Sequence, residues 1–195
     1  MSKQSGSKIR RDRLRRERRR SMMIWGSLGA AVLAVVGLMV WNAVRPSAGQ
    51  SILVESADHV ADGTDPGPYN SNPPTGGRHF ATSLRAGFFD KQDLAELPPY
   101  PEGYLVHNLE HGYVIFWYDC SELDVQSCDQ LKQDIQATMD RADNFKVIAF
   151  PWESIDVPVV MTSWGQLQEF ESFNPRQAMQ FVNANRNRAP EPQAQ

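Results

Sequence analysis

The side chains best suited to chemistry in this chain are its four histidines, which all fall within one stretch of 53 residues: His59, His79, His107 and His111. His107 and His111 are four residues apart, so they project from one face of a strand or from one turn of a helix. Two imidazoles at this spacing can reach a single cation. We therefore predict that the four rings converge on one transition-metal ion.

The donor types also indicate which metal such a site would prefer. Four imidazole nitrogens without a nearby pair of Cys or Met favour Cu(II) over Zn(II) by the Irving–Williams order, so we expect copper first and zinc second. Glu110 would point away from His107 and His111 on a strand, and is expected to support a ligand rather than bind the ion. The alternative for each histidine is an ordinary surface or hydrogen-bonding role.

Residues 107–111 also match the H-x-x-E-H string of inverted zinc peptidases. Those enzymes carry the string inside a sizeable helix, whereas here Pro101 and Gly103 precede it, and Gly112 and a β-rich run follow. This context disfavours a hydrolase, and no catalytic residue is assigned. The chain also lacks a glycine-rich phosphate loop, a G-x-S-x-G elbow and an EF-hand pattern.

The histidines must be positioned by a domain whose first half is rich in loops. Residues 58–103 hold seven prolines and six glycines, which exclude long regular elements. Within them, the loop NPPTGGRH ends at His79, and its two prolines stiffen the backbone that carries this side chain. The following segment, residues 104–119, alternates apolar and polar residues and then becomes continuously apolar. It predicts one long strand or a bent pair of strands.

The second half of the domain shows clearer periodicity. A helix is predicted where apolar residues recur at helical spacing, at Leu131, Ile135, Met139 and Ala142. Two short strands are predicted at residues 145–150 and 157–164, and a second helix starts at Asn174 and Pro175. The predicted fold class is α+β, with a small, mainly antiparallel sheet, two main helices and a long loop-rich N-terminal half.

A membrane anchor is predicted ahead of this domain. Residues 21–44 contain no charge and exceed the length needed to span a hydrocarbon core of about 30 Å. Trp25 and Trp41 lie near the two ends of this run, as interfacial residues do. Residues 1–20 hold ten Lys or Arg and two acidic residues, so the positive-inside bias places the N-terminus in the cytoplasm and the acidic domain outside.

A cleaved signal peptide is the alternative, with small residues at Ser47 and Ala48 for cleavage, but the basic and apolar runs are both long for one. The basic tail is interpreted as topogenic rather than as a nucleic-acid arm. We expect a cytoplasmic tail (1–20), a transmembrane helix in the bilayer (21–44), a linker (45–54), an extracytoplasmic domain (55–186) and a flexible tail (187–195). The expected localisation is the cell membrane.

Two cysteines, Cys120 and Cys128, bracket a short segment after the predicted long strand. Outside the membrane, where thiols are oxidised, a disulfide between them is the natural expectation. The alternatives are two free thiols or a thiolate contribution to a copper site. The spacing is not C-x-x-C, so no redox motif is assigned.

Several segments together resemble the bacterial membrane-anchored family known as domain of unknown function 3105. They are HV at residues 59–60, YNSNPPTGGRHF at 69–80, EGYLVHNLEHGYVIFWY at 102–118 and, more loosely, VPVVMTSWGQ at 157–166. The resemblance covers most of residues 55–185. It implies a short cytoplasmic tail, one anchor and an outer domain, and it marks the histidine segments as characteristic while lending no catalytic residue.

Two functions follow as expectations. The first is metal handling, or a metal-stabilised fold, through the four histidines. The second is a metal-free accessory module, in which the NPPTGG and HNLEHG segments form a rigid surface for an unidentified membrane-protein partner. A partner that remains bound after His79, His107 and His111 are each replaced by Ala would favour the second.

Overall fold

The computed structural model describes residues 4–44 and 48–193. The chain divides into two compact units, residues 1–45 and residues 46–195. The first unit is a single helix, α1 (Gln4–Val44). Its stretch Met22–Val40 is long and apolar enough to cross a membrane, as a membrane anchor or an N-terminal signal sequence would be, and its side chains are exposed. Ser47, part of the alternative cleavage site, and part of the expected linker lie outside the described residues.

The second unit is built on a six-stranded sheet. Its strands are Gln50–Ser51 (β1), Gly87–Phe88 (β2), Val114–Tyr118 (β3), Val147–Pro151 (β4), Val159–Ser163 (β5) and Gln166–Phe170 (β6). They lie in the order β1-β6-β5-β3-β4-β2. The β1–β6, β6–β5 and β5–β3 pairings are antiparallel, and the β3–β4 and β4–β2 pairings are parallel. The α+β class is confirmed, with a mixed sheet that is antiparallel in three of its five pairings.

The helices of this unit among the described residues are Pro101–Glu110 (α2), Val125–Arg141 (α3) and Pro175–Asn185 (α4), with a 3-10 turn at Asp93–Glu96. The predicted helices at α3 and α4 are confirmed. Asn174 caps α4, because its side-chain oxygen accepts hydrogen bonds from the backbone N–H groups of Arg176 and Gln177. Pro175 then occupies the first helical turn, where its missing N–H leaves no bond unmade.

The strand predicted over residues 104–119 is wrong in its first half, which forms α2 instead. Pro101 begins this helix, and Leu105 and Leu109, four residues apart, are fully buried against the sheet. The chain turns at Gly112, whose φ is +83°, and only then enters β3. A short apolar run can satisfy both the strand period and the helix period, and here burial at spacing four decides for the helix.

The sheet is covered on both faces, which explains the continuous apolar run of β3. Phe116 and Tyr118 pack on the side of α3 and α4, with Ile135 and Phe181. The alternate residues of β3, such as Trp117, pack on the other side with α2 and the loops of the N-terminal half. All five β3 side chains are therefore buried. The result is a three-layer domain in which α2 lies opposite the two longer helices.

One disulfide and a set of hydrogen bonds to the C-terminal segment add to the packing of the domain. The expected disulfide between Cys120 and Cys128 is present, so no free cysteine remains. The segment after residue 186, expected to be flexible, is hydrogen-bonded to the end of α2. Lys146 Nζ donates to the carbonyls of His111 and Pro192, and the Glu191 N–H donates to the carbonyl of Glu110.

A single glycine sets how closely α2 approaches the loop that carries His79. A Cβ atom at Gly103 would lie 2.5 Å from Cε2 of Phe80, a fully buried side chain that follows His79 directly. We expect Gly103→Ala to lower the free energy of unfolding, because overpacking costs about 1–3 kcal/mol. The gain in helix propensity, about 1 kcal/mol, is smaller.

Denaturant unfolding of the full chain in detergent micelles measures this change. Gln133→Ala, at an exposed position of α3, is the matched control and should stay within about 0.5 kcal/mol of the unchanged chain. A Gly103→Ala protein as stable as this control would show that α2 and Phe80 are not in tight contact.

Candidate metal centre

Three segments of the chain meet at one cluster of polar side chains. His59 and His79 lie side by side in a parallel β-bridge, in which the Val60 N–H donates to the His79 carbonyl and the His79 N–H to the Asp58 carbonyl. His107 and Glu110 face them from one turn of α2, at positions three apart. One donor atom from each of these four side chains lies within 4.8 Å of the other three.

One carboxylate oxygen lies at the centre of this cluster. Glu110 Oε2 is 2.9 Å from His79 Nε2, 3.6 Å from His59 Nε2 and 3.8 Å from His107 Nδ1. In a tetrahedral site with bonds of about 2.0–2.1 Å, neighbouring donor atoms are separated by about 3.3 Å. The four donors are therefore near the spacing of a metal site, and small side-chain movements would close them onto an ion.

The contact between His79 and Glu110 poses a hydrogen-bonding conflict. The Nδ1–H of His79 donates to the Gly77 carbonyl, 2.8 Å away. A neutral ring then has a bare lone pair at Nε2, which faces the carboxylate oxygen of Glu110, another acceptor. Both side chains are buried. A proton shared between the two atoms, or a metal ion bound by both, satisfies this arrangement.

The ring of His107 also has a buried nitrogen, Nδ1, that makes no hydrogen bond within residues 48–193. His107 is 7% exposed, and its Nδ1 has no hydrogen-bond partner in the described part of the chain. Burial, with a smaller contribution from the neighbouring rings of His111 and His79, lowers the pKa of His107 to about 4 against the opposing effect of Glu110. The imidazole is therefore neutral near pH 7, which is the form that binds metals.

The loop before His79 is built to hold this ring in place. Gly77 has a φ of +133° and presses on Tyr69, since a Cβ at this position would lie 2.9 Å from the tyrosine ring. The Thr75 carbonyl accepts a hydrogen bond from the N–H of Gly165 in the β5–β6 turn. The Trp164 ring meets the His79 ring edge to face, with centroids 6.2 Å apart. The backbone of the NPPTGGRH loop is thereby fixed to the sheet.

Asn108 fixes α2 on the same side of the domain. Its side-chain oxygen accepts from the Leu84 N–H, and its amide group donates to the Leu84 carbonyl. Asn108 is fully buried, and its side-chain amide pairs with the backbone N–H and C=O of Leu84 as a residue of a neighbouring strand would. It holds the helix turn that carries His107 and Glu110 against the loop chain.

His111 lies beside the cluster but outside the set of four donors. Its ring packs on the ring of His107, with centroids 4.3 Å apart, and its Nε2 is 3.8 Å from a carboxylate oxygen of Glu191 in the C-terminal segment. Burial lowers the pKa of His111, and the carboxylates of Glu191 and Glu110 oppose that shift. Of the four histidines predicted as ligands, the structure brings together His59, His79 and His107.

The expected orientation of Glu110 is wrong, because it rested on a strand. On α2, Glu110 shares a face with His107 instead of opposing it, and its Oε2 occupies the centre of the cluster. The H-x-x-E-H string does lie at the end of a helix, contrary to expectation. Its second histidine, however, is not in the donor set, and its glutamate is, which differs from the arrangement the peptidase string requires.

Comparison with known proteins identifies the family. Residues 59–195 match the family described as "Protein of unknown function (DUF3105)", which is 137 of the 195 residues. The chain belongs to the DUF3105 family. No curated protein and no solved structure matches it. All four donor residues of the cluster fall within the DUF3105 match, and His59 is its first residue.

The lowered pKa of His107 makes the metal-free fold sensitive to acid. The folded chain keeps this ring neutral until about pH 4, whereas the unfolded chain takes up a proton near pH 6.5. Because the unfolded state binds more protons between these values, the free energy of unfolding should fall as the pH drops from about 6.5 to about 4.

Unfolding of the metal-free protein, measured across this range with a chelator present, tests the shift. His107→Gln should have a shallower pH dependence, and the ring protons of His107 should titrate by NMR near pH 4 in the folded protein. A midpoint for His107 near 6.5 would contradict its burial in a site that disfavours charge.

Proposed function

We propose that this DUF3105 domain binds one transition-metal ion, Cu(II) ahead of Zn(II), through His59, His79, His107 and Glu110. The observation that carries the proposal is the 2.9 Å contact between His79 Nε2 and Glu110 Oε2, two buried acceptors with no hydrogen between them when the ring is neutral and the carboxylate is ionised. A divalent ion binds both at once and removes the conflict.

The chemistry of the donors supports a transition metal over calcium or magnesium. Three imidazole nitrogens and one carboxylate oxygen suit copper and zinc, whereas calcium and magnesium take oxygen ligands. Among divalent ions of the first row, Cu(II) binds such nitrogen-rich sites most tightly. The carboxylate also offsets one of the two positive charges, which lowers the cost of holding the ion in a largely buried site.

Four protein ligands around one ion fit a role in holding metal better than one in catalysis. Catalytic zinc sites commonly keep one position for water or substrate and use three protein ligands. With four donors present, the domain is suited to metal handling or to a fold stabilised by metal. His111, packed on the His107 ring, then acts by holding that ring in place rather than by binding the ion.

Metal titration of the full chain, purified in detergent micelles and stripped by chelator, tests this function. We expect one Cu(II) per chain with a Kd below about 10 μM, an affinity of about 7 kcal/mol. His79→Asn keeps an amide group able to donate to the Gly77 carbonyl but lacks Nε2, and Glu110→Gln preserves shape without charge. Each should weaken binding more than about 100-fold, beyond the effect typical of groups that only support a ligand.

His111→Asn is the matched control for this titration, because it removes an equally buried imidazole outside the donor set. Its effect should stay below about tenfold, as for a supporting residue at the lower limit. Elemental analysis of the purified chain identifies the ion. An unaltered chain with no site tighter than about 10 μM, or a His79→Asn chain that binds as well as the unaltered one, would contradict the proposal.

We also propose that α1 is a retained membrane anchor, with its basic N-terminal end in the cytoplasm and the metal-binding domain outside. The uncharged run of residues 21–44 and the ten Lys and Arg residues before it support this topology. A disulfide in the domain agrees with an oxidising compartment.

Labelling of intact cells with a membrane-impermeant maleimide tests the topology. The native cysteines are both in the disulfide, so single added thiols report cleanly. Gln133→Cys should react from outside, and Ser5→Cys only after the cells are lysed. Mass spectrometry of the mature chain distinguishes an anchor from a cleaved leader, since cleavage near residue 47 would remove all of residues 1–45.

A further inference from the structure

The four donors of the proposed centre differ sharply in their access to solvent. The side chains of His79, Glu110 and His107 are 0%, 6% and 9% exposed, whereas that of His59 is 47% exposed. The centre is therefore closed on three sides and open on the side of His59. This is the side from which an external molecule would most readily reach a bound ion.

The donors also differ in how firmly the fold holds them. The ring of His79 is fixed by the Gly77 carbonyl, and His107 and Glu110 share a helix turn that packs on the core. The ring of His59 makes no hydrogen bond within residues 48–193. It lies 3.6 Å from Glu110 Oε2 and packs against the rings of His79 and His107, with centroids 4.6 and 5.4 Å away. Its ring can therefore turn toward solvent at the loss of these ring contacts but of no hydrogen bond.

The segment around His59 favours the approach of cations. Residues 46–77 contain four acidic residues, Glu55, Asp58, Asp62 and Asp65, and no Lys or Arg. From residue 57 to residue 65, every residue except Val60 is exposed. An acidic, exposed rim on the open side raises the local concentration of metal ions and of cationic metal complexes.

We propose that His59 is the exchange ligand of the centre: it leaves the ion first, and an external imidazole takes its place while His79, His107 and Glu110 keep hold of the metal. The inference rests on the proposed metal binding. In this step the bond between the metal and His59 Nε2 breaks and a bond to the incoming nitrogen forms, without any change of oxidation state. A histidine side chain of a protein that donates or receives the ion is the corresponding biological ligand.

This assignment distinguishes a transfer site from a permanently closed one. A closed structural site releases its ion only when the surrounding fold opens, so release does not depend on the incoming ligand. A site with one exposed and weakly held ligand exchanges through a mixed complex, and its rate rises with the concentration of the incoming ligand. The difference in burial between His59 and the other three donors predicts the second behaviour.

Chemical rescue of the full chain in detergent micelles tests the assignment. His59→Gly should bind Cu(II) more weakly than the unaltered chain but more tightly than His79→Asn, because His59 is the most exposed of the four donors; rescue by imidazole, rather than the size of the loss, identifies it as a ligand. Added imidazole should restore the affinity to within about threefold, after correction for copper bound by free imidazole. Electron paramagnetic resonance with ¹⁵N-imidazole should show the added nitrogen bound to the copper of His59→Gly.

His79→Asn is the matched control, because it also removes one imidazole donor but at a position with no solvent access. Imidazole should not rescue it. In the unaltered chain, transfer of Cu(II) to a chelator should accelerate as imidazole is added. If imidazole does not rescue Cu(II) binding by His59→Gly, or if this substitution leaves the Cu(II) affinity unchanged, His59 is not the exchange ligand. Metal binding by the unaltered chain would still stand. Failure of the unaltered chain to bind any metal would instead overturn the proposed function itself.

Discussion

The organisation of this domain depends on one buried contact, between Nε2 of His79 and the carboxylate of Glu110. Because the other nitrogen of the ring already donates to a carbonyl, the contact is favourable only when a proton or a metal ion lies between Nε2 and the carboxylate. An unpaired charge or polar group in such a place costs several kcal/mol. In the proposed metal site, an ion between these two atoms would also lie close to the donor atoms of His59 and His107.

The rest of the structure can be understood as the support that keeps these acceptors opposed. Leu105 and Leu109 fix α2 on the sheet, and Asn108 ties the same turn to the loop chain through two hydrogen bonds. Gly103 allows the loop chain to approach the helix closely at Phe80. The backbone on both sides of the contact is thereby held by packing and hydrogen bonds, so only small side-chain movements remain available to the two groups.

The sequence revealed much of this domain but not its central residue. The helices at α3 and α4 were predictable because their apolar spacing and the Asn174–Pro175 start are local signals, and the disulfide was expected from the predicted location outside the membrane. The clustering of histidines pointed to the right segments. Residues 104–110 were assigned to the wrong element, since Leu105 and Leu109 fit two periods and only tertiary burial separates them. Because of that error, Glu110 was expected to point away from His107, whereas on α2 the two share one face.

The H-x-x-E-H string shows why a motif must be judged by where its side chains point. On α2, His107 and Glu110 are three apart and share the turn that faces His79, whereas His111 follows the end of the helix and turns toward Glu191. Oε2 of Glu110 lies 2.9, 3.6 and 3.8 Å from the nitrogens of three imidazoles, which places this carboxylate inside the cluster as one of its donors. The H-x-x-E-H string, which forms a hydrolytic site in zinc peptidases, here places one imidazole and one carboxylate on a short helix. The loop-rich segment before the helix supplies the other two imidazoles of the cluster. Of the four donors in the proposed metal site, His59 is the most exposed, because the loop-rich segment carries it on the solvent side of the cluster while α2 and the NPPTGGRH loop bury the other three.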